Sequence, residues 1–306
     1  MQTFSLPSFA KINWFLRVLG KRDDGFHEIC TAFQTISLCD VLTFSEIDSD
    51  EIIFTCSEPS LSSRENIIFR ATEKLKEKFG IKLGARIHLE KRIPFPGGLG
   101  GGSSNCAIAL IGLAKLWNLK VEINDFCEIG AQIGSDVPFF FYGGTCFATG
   151  RGTEIFPTED IQEKYMLIVT PNVFISTKEA YQRLNADSLT KNASKANLKI
   201  CCDELKRLQI ALSFKNDQRA ESLNDFEKLV FESEPEVKKV KEALLNEGAK
   251  FAQMSGSGSS IFAIFENEIT RQTALKNLGK YTNWKKFAVT TVDRENYRKT
   301  LGLEKL

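Results

Sequence analysis

Along residues 4–19 apolar and polar positions alternate with a period of two. Ala10, Ile12, Trp14, Leu16 and Val18 share one face, and Lys11, Asn13 and Phe15 share the other. The pattern predicts a strand that projects a lysine and an asparagine to the same side. Asp24-Gly25 is a turn signal leading into Phe26-His27-Glu28. Strands are expected at 41–47 and 51–56, joined by Asp48-Ser49-Asp50. A capping-box pair, Ser62 and Glu65, predicts a helix with Ile67, Ile68, Ala71, Leu75 and Phe79 inward and Gly80 as its stop. Then Ala85, Ile87, Leu89 and Ile93 alternate with Arg86, His88, Glu90 and Arg92 in a further strand. Ala107, Leu110, Ile111, Ala114 and Trp117 mark a buried helical stripe, with Ser103 or Ser104 as its N-cap.

A second helix is expected at about 124–133, followed by Gly134-Ser135-Asp136-Val137-Pro138 and the aromatic run Phe139 to Tyr142. Pro157, Thr158, Glu159 and Asp160 break the pattern and predict a domain boundary near 155–162, dividing the chain into 1–160 and 161–306. The second half opens on an apolar strand, Met166 to Thr170. A polar tract at about 184–198 reads as a mobile insertion or weak helix, and helices follow at roughly 199–213, 217–232 and 235–247. Strands at 251–254 and 261–265 bracket Ser255-Gly256-Ser257-Gly258-Ser259-Ser260, and there is no internal repeat.

Length supports two domains, since single cores stop growing near ~250–300 residues; the chain has 306. Forty basic against 39 acidic residues leave a net charge of +1. That balance offers no field for nucleic acid, so a charged ligand must be held by a local site. Eight cysteines show no C-x-x-C spacing and are expected to be reduced, mostly buried thiols. Two histidines exclude a histidine-rich metal site, and no metal ligands are assigned. Lys11 interrupts any leader-like apolar run, and no stretch approaches ~18 apolar residues. The expectation is a soluble cytoplasmic protein, monomeric or weakly dimeric, without membrane or nucleic-acid partners.

The densest chemical signal is Pro94-Phe95-Pro96-Gly97-Gly98-Leu99-Gly100-Gly101-Gly102-Ser103-Ser104, between a strand and a helix. Glycines let backbone N–H groups turn towards a ligand, and the helix start adds unpaired donors and a positive dipole end. The construction suits phosphate. A Walker A loop would need lysine where Ser103 stands, and the dinucleotide fingerprint started at Gly98 ends on Ser103 rather than glycine. Asp136 is the second signal. In its apolar setting a carboxylate needs a cation, and Lys11 can supply one. Such a pair can orient a hydroxyl and take its proton during phosphoryl transfer. Taken alone, Asp136 is better explained as an N-cap or turn residue beside a proline and Lys11 as a solvated strand-edge residue; the glycine loop reverses that balance.

The glycine segment resembles the second motif of the GHMP kinases. Three further segments are similar to the 4-diphosphocytidyl-2-C-methyl-D-erythritol kinase family within them: Pro7 to Asn13 with Gly20 to Glu28, Gly134 to Phe139, and Asn224-Asp225-Phe226-Glu227. Met254 to Gly258 resembles the third GHMP motif. The resemblance implies a two-domain α+β fold, with a ribosomal-S5-domain-2-like N-terminal half and a ferredoxin-like α/β-plait in the C-terminal half. It implies ATP as phosphoryl donor with Mg²⁺, and transfer to the 2-hydroxyl of the cytidyl substrate in the non-mevalonate route to isoprenoids. Lys11 and Asp136 would be the catalytic pair, and residues 94 to 104 would wrap the phosphates, with Asn66 at the adenine. Asn13, Phe26, His27 (through ring or backbone), Tyr181, Gly256, Ser257 and Gly258 would hold the substrate, with Tyr181 stacking on the base from the side opposite Phe26. Core packing is the commoner fate of an aromatic, and the Gly256–Gly258 segment also suits a plain hairpin turn. Three positions depart from the family pattern: Phe26 for tyrosine, Pro96-Gly97 for Gly-Ala-Gly, and Asn105-Cys106 for Asp-Ala. A homoserine- or mevalonate-type GHMP kinase would keep the loop without needing the cytosine-binding residues. A silent relative would be expected to have lost Lys11, Asp136 or the glycines.

Overall fold

A computed structural model describes residues 2–184, 197–213 and 222–304. Two long strands, β1 (Thr3–Lys21) and β2 (His27–Ser45), pair antiparallel through nearly their whole length. The expected strand at 41–47 is thus only the end of β2. The alternation is hidden upstream because residues 28–36 are buried on both faces, and the buried Glu28, Thr31, Gln34 and Thr35 fall among apolar residues without a period of two. β3 (Ile52–Cys56) leads to α1 (Ile67–Phe79). The cap of α1 is Asn66, whose Oδ1 accepts from the Ile68 N–H, and not the Ser62–Glu65 pair. Gly80 closes the helix in the left-handed region at φ 64°.

β4 (Ala85–Glu90) joins β2 antiparallel and β3 parallel. Next come α2 (Gly101–Leu116) and α3 (Ile123–Ile133), then β5 (Thr145–Thr149) and β6 (Glu154–Pro157). The first sheet runs β3-β4-β2-β5-β6, with β1 beside β2. α2 is buried nearly all round, because α1, β1 and β2 all pack on it. Its N-cap is Gly100, at φ 67°, so Ser103 and Ser104 lie inside the first turn instead of capping it.

β7 (Met166–Pro171) opens a second sheet, and α4 (Thr177–Arg183) follows. The tract at 184–198 falls largely outside the described residues. α5 (Asn197–Ser213) follows it, and the helix expected at 217–232 begins only at Phe226, as α6 (Phe226–Ser233): residues 222–225 are not helical, and 217–221 lie outside the described residues. α7 (Pro235–Asn246), β8 (Phe251–Met254), β9 (Ile261–Ile264), α8 (Glu268–Asn277), β10 (Trp284–Val289) and α9 (Arg294–Leu301) complete the order. The second sheet is antiparallel in the order β10-β7-β9-β8. That is the β-α-β-β-α-β arrangement of a ferredoxin-like plait. The chain end returns to the first half: Tyr297, Leu301 and Leu303 join the core over α2 and α3, and the Tyr297 hydroxyl donates to the Phe140 carbonyl at 2.6 Å.

Packing of α5 against β2 brings the buried Cys201 against the buried Cys30, with Cα atoms 6.0 Å apart. The other six cysteines are free.

Candidate active site between two glycine loops

The first glycine loop lies along β1. The Lys11 N–H donates to the Leu99 carbonyl at 2.9 Å, and the Leu99 side chain is buried. Gly98 and Gly100 take φ of 71° and 67°, values that side chains disfavour. A Cβ at Gly100 would meet Lys11 Cγ at 2.8 Å, and one at Gly98 would meet the Ser255 carbonyl at 2.1 Å. The second contact reflects a junction between loops. Ser255 Oγ donates to the Gly98 carbonyl at 3.0 Å, and the Ser260 N–H to that of Gly97 at 3.2 Å. The 255–260 loop from the second sheet therefore forms one wall of the phosphate loop.

Between the loops lies a cavity of about 480 Å³, within the usual range for a small-molecule site. Lys11 enters it from β1 with its side chain almost wholly buried. Its Nζ donates to Asn13 Oδ1 at 2.6 Å and to the Gly98 carbonyl at 3.2 Å, and lies 3.4 Å from Asp136 Oδ2. The Phe33 ring lies 5.1 Å from the same ammonium. Asp136, in the turn between α3 and the short helix Pro138–Phe141, keeps a third of its side chain exposed, so it faces the opening. Asn13 is fixed in turn by donating to Thr31 Oγ1 at 2.8 Å.

Residues 94 to 103, Asn66, Asn13, Tyr181, Gly256 and Ser257 also line this cavity. Ser104 does not. Its hydroxyl turns into the core, where it accepts from Ser8 Oγ at 2.8 Å. Gly258 is likewise outside the lining, with φ 86° and no room for a Cβ beside Met254. Asn224 anchors the second loop by donating to the Met254 and Gly256 carbonyls at 2.9 and 2.8 Å.

At the acceptor end, Tyr181 on α4 stacks directly on His27, ring centroids 4.9 Å apart, and meets Phe226 edge-on at 4.7 Å. A base sandwiched between two rings needs about 7 Å between them, so no slot lies between His27 and Tyr181. Phe26 and His27 stand beside the cavity lining and not in it, and Phe26 is exposed with the Arg151 guanidinium 4.9 Å from its ring. Burial and, to a smaller degree, the charge of Asp136 push the Tyr181 hydroxyl above its ordinary pKa. Burial and nearby Lys21 push His27 below its own.

Several lining groups were not anticipated from the sequence: Phe33, Thr177, Phe226 and above all Lys91. Thr177 Oγ1 lies 2.8 Å from Ser257 Oγ and so braces the second loop. Lys91 carried a readable signal. It continues the inward phase of Ala85, Ile87 and Leu89, where a lysine must find a partner.

A two-sheet α+β fold whose facing glycine loops enclose a lysine–aspartate pair defines a GHMP kinase. Family models for the GHMP kinase N-terminal and C-terminal domains match residues 66–144 and 205–282. A curated relative from Thermodesulfovibrio yellowstonii, named 4-diphosphocytidyl-2-C-methyl-D-erythritol kinase, is 39% identical over 94% of this chain and 97% of its own. One of the same name from Enterococcus faecalis is 38% identical over 88% and 92%. The chain belongs to that kinase family. A crystal structure of 4-(cytidine 5'-diphospho)-2C-methyl-D-erythritol kinase superposes with TM-score 0.74 at 29% identity, covering 94% of this chain and 99% of the other. A homoserine kinase from Cytophaga hutchinsonii shares the fold, with TM-score 0.67 at 20% identity over 96% of each chain.

Proposed function

We propose that the chain transfers the γ-phosphoryl group of ATP to the 2-hydroxyl of 4-diphosphocytidyl-2-C-methyl-D-erythritol, a step of isoprenoid synthesis. The observation that carries this reading is the Lys11–Asp136 pair, 3.4 Å apart in a cavity walled by both glycine loops. Family membership supplies the acceptor. In this reading Asp136 takes the proton of the 2-hydroxyl, and the freed oxygen attacks the γ-phosphorus. The bond from that phosphorus to the β–γ bridging oxygen breaks, and ADP leaves. Lys11, held by Asn13 and the Gly98 carbonyl, stabilises charge on Asp136 and on the moving phosphoryl group. The site's work is positioning and charge stabilisation, because loose phosphoryl transfer demands little covalent help.

The amides of residues 97 to 103 and the Ser103 hydroxyl bind the phosphates, and Asn66 borders the adenine. Asn13 contacts the acceptor near its hydroxyl, while Phe26, His27 and Tyr181 hold the cytidyl end. Among the described residues no cluster of three His, Cys, Asp or Glu could hold a metal. The oxygen donors that line the cavity, Ser103 and Asp136 among them, suit Mg²⁺ carried on the phosphates of ATP, where it would offset their charge. Residues 1–160 and 161–306 are the two halves in this reading, and the enzyme works as a monomer or weak homodimer without nucleic acid. No helix among the described residues is long and apolar enough to cross a membrane. We place the enzyme in the cytoplasm, where its nucleotide substrates are.

ADP release with ATP and Mg²⁺ tests the function, with the cytidyl substrate, homoserine and mevalonate offered in parallel. Turnover with the cytidyl compound alone is expected. Turnover with another acceptor would keep the GHMP chemistry and overturn the acceptor assignment.

A further inference from the structure

Two buried charges stand where β2 and β4 meet at the end of their ladder, Asp40 in β2 and Lys91 just past the end of β4. Asp40 is in phase with Leu42 and Phe44, and Lys91 with Ala85, Ile87 and Leu89. The last residue pair of the ladder joins Val41 to Glu90, so the antiparallel register places Asp40 and Lys91 opposite each other one step further on. Asp40 is fully buried and receives four donors. Oδ2 takes Lys91 Nζ at 2.8 Å and Asn105 Nδ2 at 2.9 Å. Oδ1 takes the backbone N–H groups of Arg92 and Ile93 at 2.7 and 2.8 Å.

These donors sit at the two ends of one loop. Lys91, Arg92 and Ile93 lead into the glycine segment, and Asn105 follows it in the second turn of α2. Asn105 Nδ2 also reaches Ser8 Oγ at 2.9 Å, so the same network touches β1 three residues before Lys11. Lys91 Nζ donates onward to the Ile93 carbonyl at 2.7 Å and lies 3.1 Å from where a Cβ on Gly101 would stand. A loop made of glycines has little stiffness of its own, so its shape must come from where its ends are held.

We infer that Asp40 is a positioning residue for nucleotide binding: one buried carboxylate ties the start of the phosphate loop to its end and holds the Lys91 ammonium against the first turn of α2. The inference rests on the reading of residues 94–103 as the ATP loop. It also gives the departure at Asn105 a role, since an amide donates to Asp40 where a second carboxylate would have to compete for Lys91.

The test substitutes Asp40→Asn in the full chain, an isosteric change that leaves donors facing a donor. Affinity for an unreactive ATP analogue is measured by calorimetry, beside the KM values for ATP and for the acceptor. The expected result is a loss of analogue affinity of about tenfold or more, the size that one unsatisfied buried group implies. ATP KM should rise in parallel while acceptor KM stays within about twofold. Lys91→Met should shift the same two nucleotide readings, and the double variant should fall short of the product of the single effects. If Asp40→Asn does not fold, Lys91→Met and Asn105→Ala carry the test alone. Unchanged analogue affinity, or equal rises in both KM values, would overturn the inference. Because analogue binding needs no turnover, its failure is separable from a wrong acceptor, which would show as an inactive but ATP-binding wild-type protein.

Discussion

The two ends of the cavity are built from different materials. The phosphate end is mostly backbone: ten consecutive residues, from Pro94 to Ser103, laid along β1 and closed by a second loop. The acceptor end is made of side chains from segments far apart in the chain, with Asp136, Tyr181 and Phe226 in the lining and His27 stacked behind. A backbone site is specified locally, by where glycine occurs. A side-chain site is specified by the whole fold, because each group arrives on a different element. Substitutions at the first end should therefore move ATP binding through backbone shape, and those at the second should act one side chain at a time.

The largest effect is expected at the point where the ends meet. Asp136→Asn keeps the shape and removes the proton acceptor, so kcat should fall by ~10²–10⁴, with ATP-analogue affinity within about twofold of wild type. Steady-state rates alongside calorimetry check this. A loss of nucleotide affinity comparable to the loss in kcat would mean that Asp136 organises the phosphate end as well, and the contrast would collapse.

Gly98→Ala attacks the phosphate end. Its φ of 71° costs a residue with a Cβ about 1–2 kcal/mol, and the new methyl would lie 2.1 Å from the Ser255 carbonyl. ATP KM should rise at least tenfold, and the melting temperature should fall because two loops part. Gly102→Ala sharpens the reading, since its Cβ would meet no protein atom within 4 Å. A rise in ATP KM there, at unchanged melting temperature, would report the nucleotide itself lying against that amide.

Tyr181→Leu attacks the acceptor end. Base stacking on an aromatic contributes ~1–3 kcal/mol, so acceptor KM should rise by about fivefold to a hundredfold with ATP KM little changed. Equal changes in both would assign Tyr181 to packing against Phe226 and His27.

The same contrast explains what the sequence disclosed. The glycine segment could be read directly, because each glycine states a local backbone requirement, and the period-2 pattern of β1 placed Lys11 and Asn13 together. The cap of α2 was misplaced onto Ser103 or Ser104 because a left-handed Gly100 can cap without any side chain. Most of β2 escaped notice because burial on both faces erases alternation. The Asp40–Lys91 pair was legible as charge in the inward phase of β2 and just past the end of β4, but only strand pairing makes the two one feature. The resemblance put Tyr181 and His27 at the same end of the substrate, but their direct contact had no signal in periodicity or spacing: it joins α4 to the start of β2, 154 positions apart by number, through tertiary packing.

The smallest expected effect concerns that contact and pH. Burial, and after it the charge of Lys21, hold the His27 pKa below its usual 6.5. The folded chain therefore binds fewer protons at this ring than the unfolded chain does, and stability must rise with pH across that interval. The contribution is fully present above 6.5 and is lost as pH falls through the depressed folded value. Because the ring is only partly buried, solvent screening keeps the effect small. His27→Gln removes the titration while keeping a polar group, so its melting temperature should fall less than that of wild type between pH 7.5 and pH 5. Identical pH profiles would mean that the ring binds its proton as readily in the folded chain as in the unfolded one, and that burial beside Tyr181 does not disfavour the charged ring.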